Sequence, residues 1–237
     1  MAPHWPAKGI VSLDTLPINE LRLHTVQTYR AGEGTRPEVV LVRVDGEQGV
    51  LKDFSRSALW FGRVLGPLLA YREARALTLL AGISGIPRLI RKVGARALLI
   101  EHIEGVPARA MPPGSVTPEL FDKLEELVFA IHERGVAHCD LRSGGNVVVN
   151  SAGQPYLVDF VAHTVRGTPL WNWVFRRFCQ ADLVAVVRLK KRLAPALMSV
   201  DDEHRLLVDR NAMLPRTARM IGKSVRNISR VVFARSK

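Results

Sequence analysis

The rhythm of hydrophobic and polar positions changes part-way along the chain. Between residues 22 and 54, apolar positions come in short runs parted by turn chemistry. Leu23 to Tyr29 reads as a first strand. Val39-Val40-Leu41-Val42-Arg43-Val44, a β-branched run, is the clearest, and Gly49-Val50-Leu51-Lys52-Asp53-Phe54 is a third. Ala31-Gly32-Glu33-Gly34 and Asp45-Gly46-Glu47 between them predict hairpins. The period then lengthens. Residues 66–81 predict a helix whose apolar face is Leu68, Leu69, Ala76, Leu77 and Leu80, stopped by Gly82 and Gly85-Ile86-Pro87.

Ala97-Leu98-Leu99-Ile100 predicts a short buried strand, and the Pro/Gly-rich segment 107–114 a connector. Thr117-Pro118-Glu119 opens the next helix with an N-cap and a proline in the first turn. Leu120, Leu124, Leu127, Val128 and Ile131 should face inward, and Gly135 should close the helix near Arg134. Asn146–Asn150 and Tyr156–Phe160 read as a strand pair, and most of the chain from about 170 as helix. The expectation is an α+β fold: an antiparallel sheet lobe joined to a mainly helical lobe, with a cleft between them.

Composition narrows the function. The 237 residues suit one large domain or two small lobes, and 47% hydrophobic content is globular. No apolar run reaches the eighteen or so residues of a membrane span. Met1-Ala2-Pro3-His4-Trp5-Pro6 shows no basic region leading into an apolar one, so no signal peptide is read. Cys139 and Cys179 show no metal-ligand spacing and are expected to be plain thiols in a reducing, cytoplasmic compartment. Net charge is +12, and no acidic residue follows Asp209 while eight Arg and Lys do. Such a field attracts polyanions: nucleic acid, anionic lipid or phosphorylated glycan.

Phosphoryl transfer needs positioning and charge compensation more than covalent chemistry. It calls for a cation beside the ATP phosphates, oxygen ligands for Mg²⁺, and a carboxylate beside the acceptor hydroxyl. The chain offers a candidate for each, in order: Lys52 in an apolar strand, Asp140 two residues after His138, Asn146, and Asp159-Phe160 thirteen residues beyond Asn146.

That order resembles the protein-kinase-like superfamily, over roughly residues 22–195. The resemblance implies a two-lobe fold. Residues 22–105 would form the N-lobe and 106–209 the helical C-lobe. Residues 1–21 would be an N-terminal extension and 210–237 a basic amphipathic tail. It makes Lys52 the phosphate-binding lysine and Glu73, 21 residues later on the following helix, its partner. Asp140 would take the acceptor proton. Asn146 and Asp159 would hold Mg²⁺. Gly32 and Gly34 would be the remnant of a glycine-rich loop. Backbone groups of Glu101 and Ile103 would meet the adenine.

Within the superfamily, Val-Ala-His-Cys-Asp-Leu-Arg…Asn-Val-Val-Val and Tyr-Leu-Val-Asp-Phe look like the small atypical bacterial members: lipopolysaccharide-core (Kdo/heptose) kinases and RIO-like kinases. The preferred expectation is an ATP- and Mg²⁺-dependent kinase acting on a core sugar at the inner face of the plasma membrane, a peripheral membrane protein held by residues 215–237. Ile221, Val225, Ile228 and Val232 repeat there at helical spacing among arginines. The alternative is a RIO-like serine/threonine protein kinase whose tail meets RNA. A third reading is a pseudokinase that only binds.

Four departures stand out. Asp140 to Asn146 spans six positions where the usual catalytic loop spans five, and Gly144-Gly145 could absorb the extra residue as a bulge. The glycine usual after Asp159-Phe160 is Val161, the glycine loop is sparse, and Cys139 replaces the usual arginine. Other residues carry competing readings. Glu73 is either the lysine partner or a solvated helix residue paired with a neighbouring arginine. His138 reads as scaffold. Asp182 is either a plain helix acid or a brace for the catalytic loop. Trp171–Phe178 is either a core-packed helix or a patch for lipid headgroups, and Thr164–Gly167 is a candidate acceptor contact.

Overall fold

The computed structural model of the chain describes residues 12–211, which divide into two compact units. One comprises the described chain up to Ala70 with Leu89–His102. The other comprises Tyr71–Arg88 and the described chain from Ile103. The expected tail, with Ile221, Val225, Ile228, Val232 and their arginines, lies outside the described residues.

The first unit is an antiparallel sheet of β1 (Thr25–Arg30), β2 (Glu38–Val44), β3 (Glu47–Asp53), β4 (Leu89–Val93) and β5 (Ala97–Glu101). Their spatial order is β1-β2-β3-β5-β4. The second hairpin is the one its residues dictate. Val44 pairs with Glu47, and Asp45 and Gly46 take φ of 45° and 88°, the two positive values a two-residue turn of this hand requires.

Register fixes the faces. Leu51 pairs with Val40 and Leu99, Lys52 with Val39 and Leu98, and Asp53 with Glu38 and Ala97. Side chains alternate along a strand, so Leu51 and Asp53 share one face and Lys52 takes the other. On the Leu51 face, Val40, Val42, Val44, Val93, Ala97 and Leu99 pack with Leu13, Leu16 and Leu21.

Part of the expected N-terminal extension is therefore core. Residues 12–24, including α1 (Ile18–Leu23), cover the sheet, and the Arg91 guanidinium clamps this segment by donating to the carbonyls of Leu13 and Leu16. The first strand starts at Thr25 rather than Leu23, which closes α1 and is exposed. The charged edge strand β4 and a short helix, α2 (Leu59–Val64), have too little periodicity to be read from sequence.

α3 (Gly66–Leu79) is the helix expected over 66–81. Its buried stripe is Ala70, Glu73, Ala74 and Leu77, the i, i+3, i+4, i+7 set. Leu68, expected inward, falls off that stripe and is exposed.

The second unit is mostly helical: α4 (Pro118–Glu133), α5 (Pro169–Leu193) and α6 (Val200–Asn211). Each residue expected on the inner face of α4 is buried, and Gly135 closes it at φ 76°. Pro118 opens it as expected, but Thr117 sits at the cap without a side-chain cap bond.

Three short strands, β6 (Val106–Pro107), β8 (Val147–Val149) and β9 (Pro155–Leu157), form one small sheet. β7 (Val136–Ala137) pairs with β10 (Thr164–Val165). The aromatic run on α5 is divided: Phe175 is in the core, whereas Trp171 and Trp173 are about half exposed. Among the described residues no helix is long and apolar enough to cross a membrane.

Candidate catalytic loop and metal-binding segment

Val136-Ala137 ends as a strand paired with Thr164-Val165, and the chain then turns through His138, Cys139 and Asp140. Asp182, from the middle of α5, fixes that turn. Its carboxylate is almost fully buried. It accepts from the backbone N–H of His138 at 2.7 Å, the N–H of Cys139 at 2.9 Å and His132 Nε2 at 3.2 Å. Of its two sequence readings, Asp182 fills the brace.

His138 is fully buried and is a scaffold, as its sequence context suggests. Its Nε2 lies 3.0 Å from the Val158 carbonyl, and its Nδ1 accepts from the Asp140 N–H at 3.3 Å. These partners select the Nε2–H tautomer. The ring also lies 4.6 Å from that of Phe160. One imidazole thus ties the backbone of Asp140 to the residue preceding Asp159.

Asn146 closes the arrangement. Its Nδ2 donates to the Asp140 carbonyl at 2.9 Å and to Asp140 Oδ2 at 3.3 Å. Its own carbonyl accepts from the Val158 N–H at 3.0 Å, one step beyond the Val147–Leu157 pair of the hairpin. Asp140, Asn146 and Asp159 are brought to one corner by a loop, a hairpin and a histidine.

The extra loop residue is absorbed at Gly144, which takes φ 64°, as the glycine pair suggests. The Gly144 carbonyl accepts from the Arg109 N–H, and a Cβ there would stand 3.1 Å from Leu189 and 3.2 Å from Arg192. The positive φ favours glycine, and a Cβ would crowd both side chains.

Among the described residues, three non-glycines have positive φ: Asp45 in the hairpin turn, Cys139 at 68° and Asp159 at 65°. The last two flank the corner, and strain of this kind gathers at functional sites. Burial holds the pKa of both thiols up. Cys139 Sγ donates to the Ala137 carbonyl, and burial, with the Asp182 charge adding to it, pushes the thiol well above its usual range. Cys179 is pushed up to about 12, chiefly by burial.

The segment after Asp159 has an anchor that sequence reasoning missed. Arg72, beside Glu73 on α3, donates through Nε to the Val161 carbonyl at 3.3 Å and through Nη2 to that of His163. No spacing rule marks such a contact, since it joins residues some ninety positions apart.

His163 is buried, with Nδ1 2.7 Å from the Phe160 carbonyl. Burial first, then the nearby Arg72 and Arg75 charges, push its pKa from 6.5 down to about 4, against the opposing pull of the Phe160 bond. The unfolded chain takes this proton near pH 6.5 and the folded chain only near 4. Stability therefore rises with pH between those values, is complete above 6.5 and is lost as pH falls. A His163→Gln variant should remove about 2–3 kcal/mol of the wild-type loss between pH 7 and pH 4. Urea melts across that range read it, and parallel curves for the two proteins would overturn the assignment.

The remaining candidates sit as follows. Lys52 is buried on β3 with Nζ 5.8 Å from the Phe54 ring centroid. Glu73 is buried on α3, which excludes the solvated reading. The two belong to different units, as do Glu101, at the exposed end of β5, and Ile103.

Gly32 and Gly34 lie in the β1–β2 connection, where a Cβ on Gly32 would stand 2.6 Å from the Arg56 carbonyl oxygen. Packing alone thus requires a glycine at 32. Thr164, of the candidate acceptor segment, lies in β10.

Solved structures share this arrangement of elements. A crystal structure of the Rio2 kinase from Chaetomium thermophilum superposes with a TM-score of 0.59 at 17% identity, covering 79% of this chain and 65% of that one. The chain has the protein-kinase-like fold. A second structure, the Rio2 kinase-ADP/Mg²⁺-phosphoaspartate complex from the same organism, gives a TM-score of 0.58 at 18% identity over 78% of this chain and 64% of that one. The kinase-like chain thus spans a little less than two thirds of the length of these neighbours. No protein-family model matches the sequence, and no curated protein matches it.

Proposed function

We propose that the chain is an ATP- and Mg²⁺-dependent phosphotransferase of RIO-like serine/threonine kinase type. The observation that carries this reading is the corner where Asn146 bonds Asp140 and, through the Val158 N–H, adjoins Asp159, in a fold shared with a kinase solved with ADP and Mg²⁺.

In this reading Asp140 accepts the proton of the acceptor hydroxyl. The acceptor oxygen then bonds the γ-phosphorus as the bond to the β–γ bridging oxygen breaks, and ADP leaves. Asn146 and Asp159 would hold Mg²⁺. Their donors fit: the Asn146 nitrogen is committed to Asp140, which leaves its oxygen end for a cation, and a carboxylate with an amide oxygen is the hard set Mg²⁺ takes beside waters and phosphates. When bound, the ion would neutralise charge on the phosphate oxygens. Lys52 would bind the phosphates and Glu73 orient it. Gly32 and Gly34 would approach the nucleotide, and the backbones of Glu101 and Ile103 would meet adenine.

The sequence reading favoured a lipopolysaccharide-core sugar as acceptor. The solved neighbours are Rio2 kinases, which favours the protein-kinase alternative. The purified chain should hydrolyse or transfer from ATP only with Mg²⁺ and label a generic serine/threonine protein substrate. Core glycolipid in a parallel arm tests the sugar reading, and phosphate appearing only there would overturn the protein-kinase assignment. Hydroxylamine-labile label on the chain itself would indicate an acyl phosphate, as the phosphoaspartate of the Rio2 complex implies for that protein. Absence of Mg²⁺-dependent turnover, with no thermal stabilisation by ATP, would leave a pseudokinase.

A further inference from the structure

On the sheet face opposite Lys52 lies an open cavity of about 360 Å³, lined by Ile18 and by the polar residues Asn19, Arg22, Asp53, Ser55, Arg56 and Arg96. Three arginines line it, with one carboxylate among the lining residues. That carboxylate is already engaged. Asp53 Oδ1 accepts from the Ser55 N–H at 2.7 Å, Oδ2 accepts from Arg22, and Arg22 also reaches Glu38 at 3.0 Å.

Arg56 and Arg96 carry no ion pair among the described residues. Arg22 Nε is buried with no acceptor among them. Two cationic side chains without a carboxylate partner on one cavity favour an anion there.

We propose that this cavity binds a phosphate monoester or inorganic phosphate dianion, at a site separate from the nucleotide. Guanidinium forks match tetrahedral phosphate oxygens, and a hydroxyl and an amide supply further donors. Asp53 and Glu38 both engage Arg22, which leaves Arg56 and Arg96 on the cavity without a carboxylate. The volume, at the lower end for small-molecule pockets, leaves room for a small organic group on the phosphate.

Register separates the two sites. Asp53, at the floor of the cavity, follows Lys52 directly in β3 and so points to the opposite face. The site stands whether or not the chain transfers phosphate.

Calorimetric titration of the full chain tests it, with inorganic phosphate and O-phosphoserine as separate probes at low salt. Each should bind saturably at one site. Tighter binding of phosphoserine assigns an organic phosphate, and equal affinity assigns the free ion. An Arg56→Ala/Arg96→Ala variant should lose at least about tenfold in affinity, and a single exposed Arg56→Gln about threefold. Lys52→Met should leave affinity unchanged. No saturable binding of either probe below about 10 mM, retained affinity in the arginine variants, or loss of binding in Lys52→Met would each overturn the proposal.

Discussion

An Asp140→Asn variant should fold normally and lose phosphoryl transfer by about 10²–10⁴-fold. Asparagine is nearly isosteric. It keeps the backbone carbonyl that accepts from Asn146 at 2.9 Å and the N–H that donates to His138 Nδ1, so the loop retains its shape. The variant lacks a carboxylate to receive the acceptor proton. The loss should fall on kcat, with ATP still raising the melting temperature as in the parent, because Asp140 is assigned no part in holding nucleotide. Steady-state turnover beside thermal shift with ATP and Mg²⁺ separates the two. Turnover within about threefold of the parent would remove Asp140 from the mechanism.

The largest stability effect is expected at Asp182, which no motif carried to the front of the sequence reading. Asp182→Ala deletes the acceptor of two backbone N–H groups and of His132 Nε2. These donors lie in or beside the core, with His138 fully buried and His132 nearly so. Leaving them unsatisfied should cost about 3–5 kcal/mol, which for a domain of this size lowers the melting temperature by roughly 10 °C. Asp182→Asn should recover little, since one amide oxygen cannot accept from both sides and the NH₂ end would face a donor. Urea denaturation measures the cost. A midpoint equal to the parent's would show the brace to be dispensable.

Much of the candidate site was legible because its spacing is local. His138, Asp140, Asn146 and Asp159 lie within about two dozen residues, and a loop followed by a hairpin brings the ends of so short a segment together under few constraints. The turn Asp45-Gly46, the stop at Gly135 and the glycine needed at 144 were legible for the same reason. Each is a backbone demand that one residue type meets.

What stayed hidden was non-local. Leu13, Leu16 and Leu21 read as part of an N-terminal extension because their periodicity is weak. They are core because the Leu51 face of the sheet needs a cover. Leu68 looked like an inward residue because it is apolar. Its angular position on α3, set by the stripe Ala70, Glu73, Ala74 and Leu77, put it outside. The Trp171–Phe178 run fitted both readings since a helix shows each aromatic to a different side, and Phe175 and Trp173 took opposite fates.

By itself, then, the sequence determined β2, β3, β5, α3 and α4, the change from sheet to helix along the chain, and the short segment that holds Asp140, Asn146 and Asp159. The tertiary structure decided which distant groups hold that loop: Asp182 from α5 beneath it, His138 between Asp140 and Val158, Arg72 on the segment beyond. It also decided that Arg22, Arg56 and Arg96 line one cavity on the face away from Lys52. The reason is physical. Propensity and turn chemistry act over a few neighbouring residues and can be read in order, whereas a buried donor takes whichever acceptor the packing delivers, from any distance along the chain.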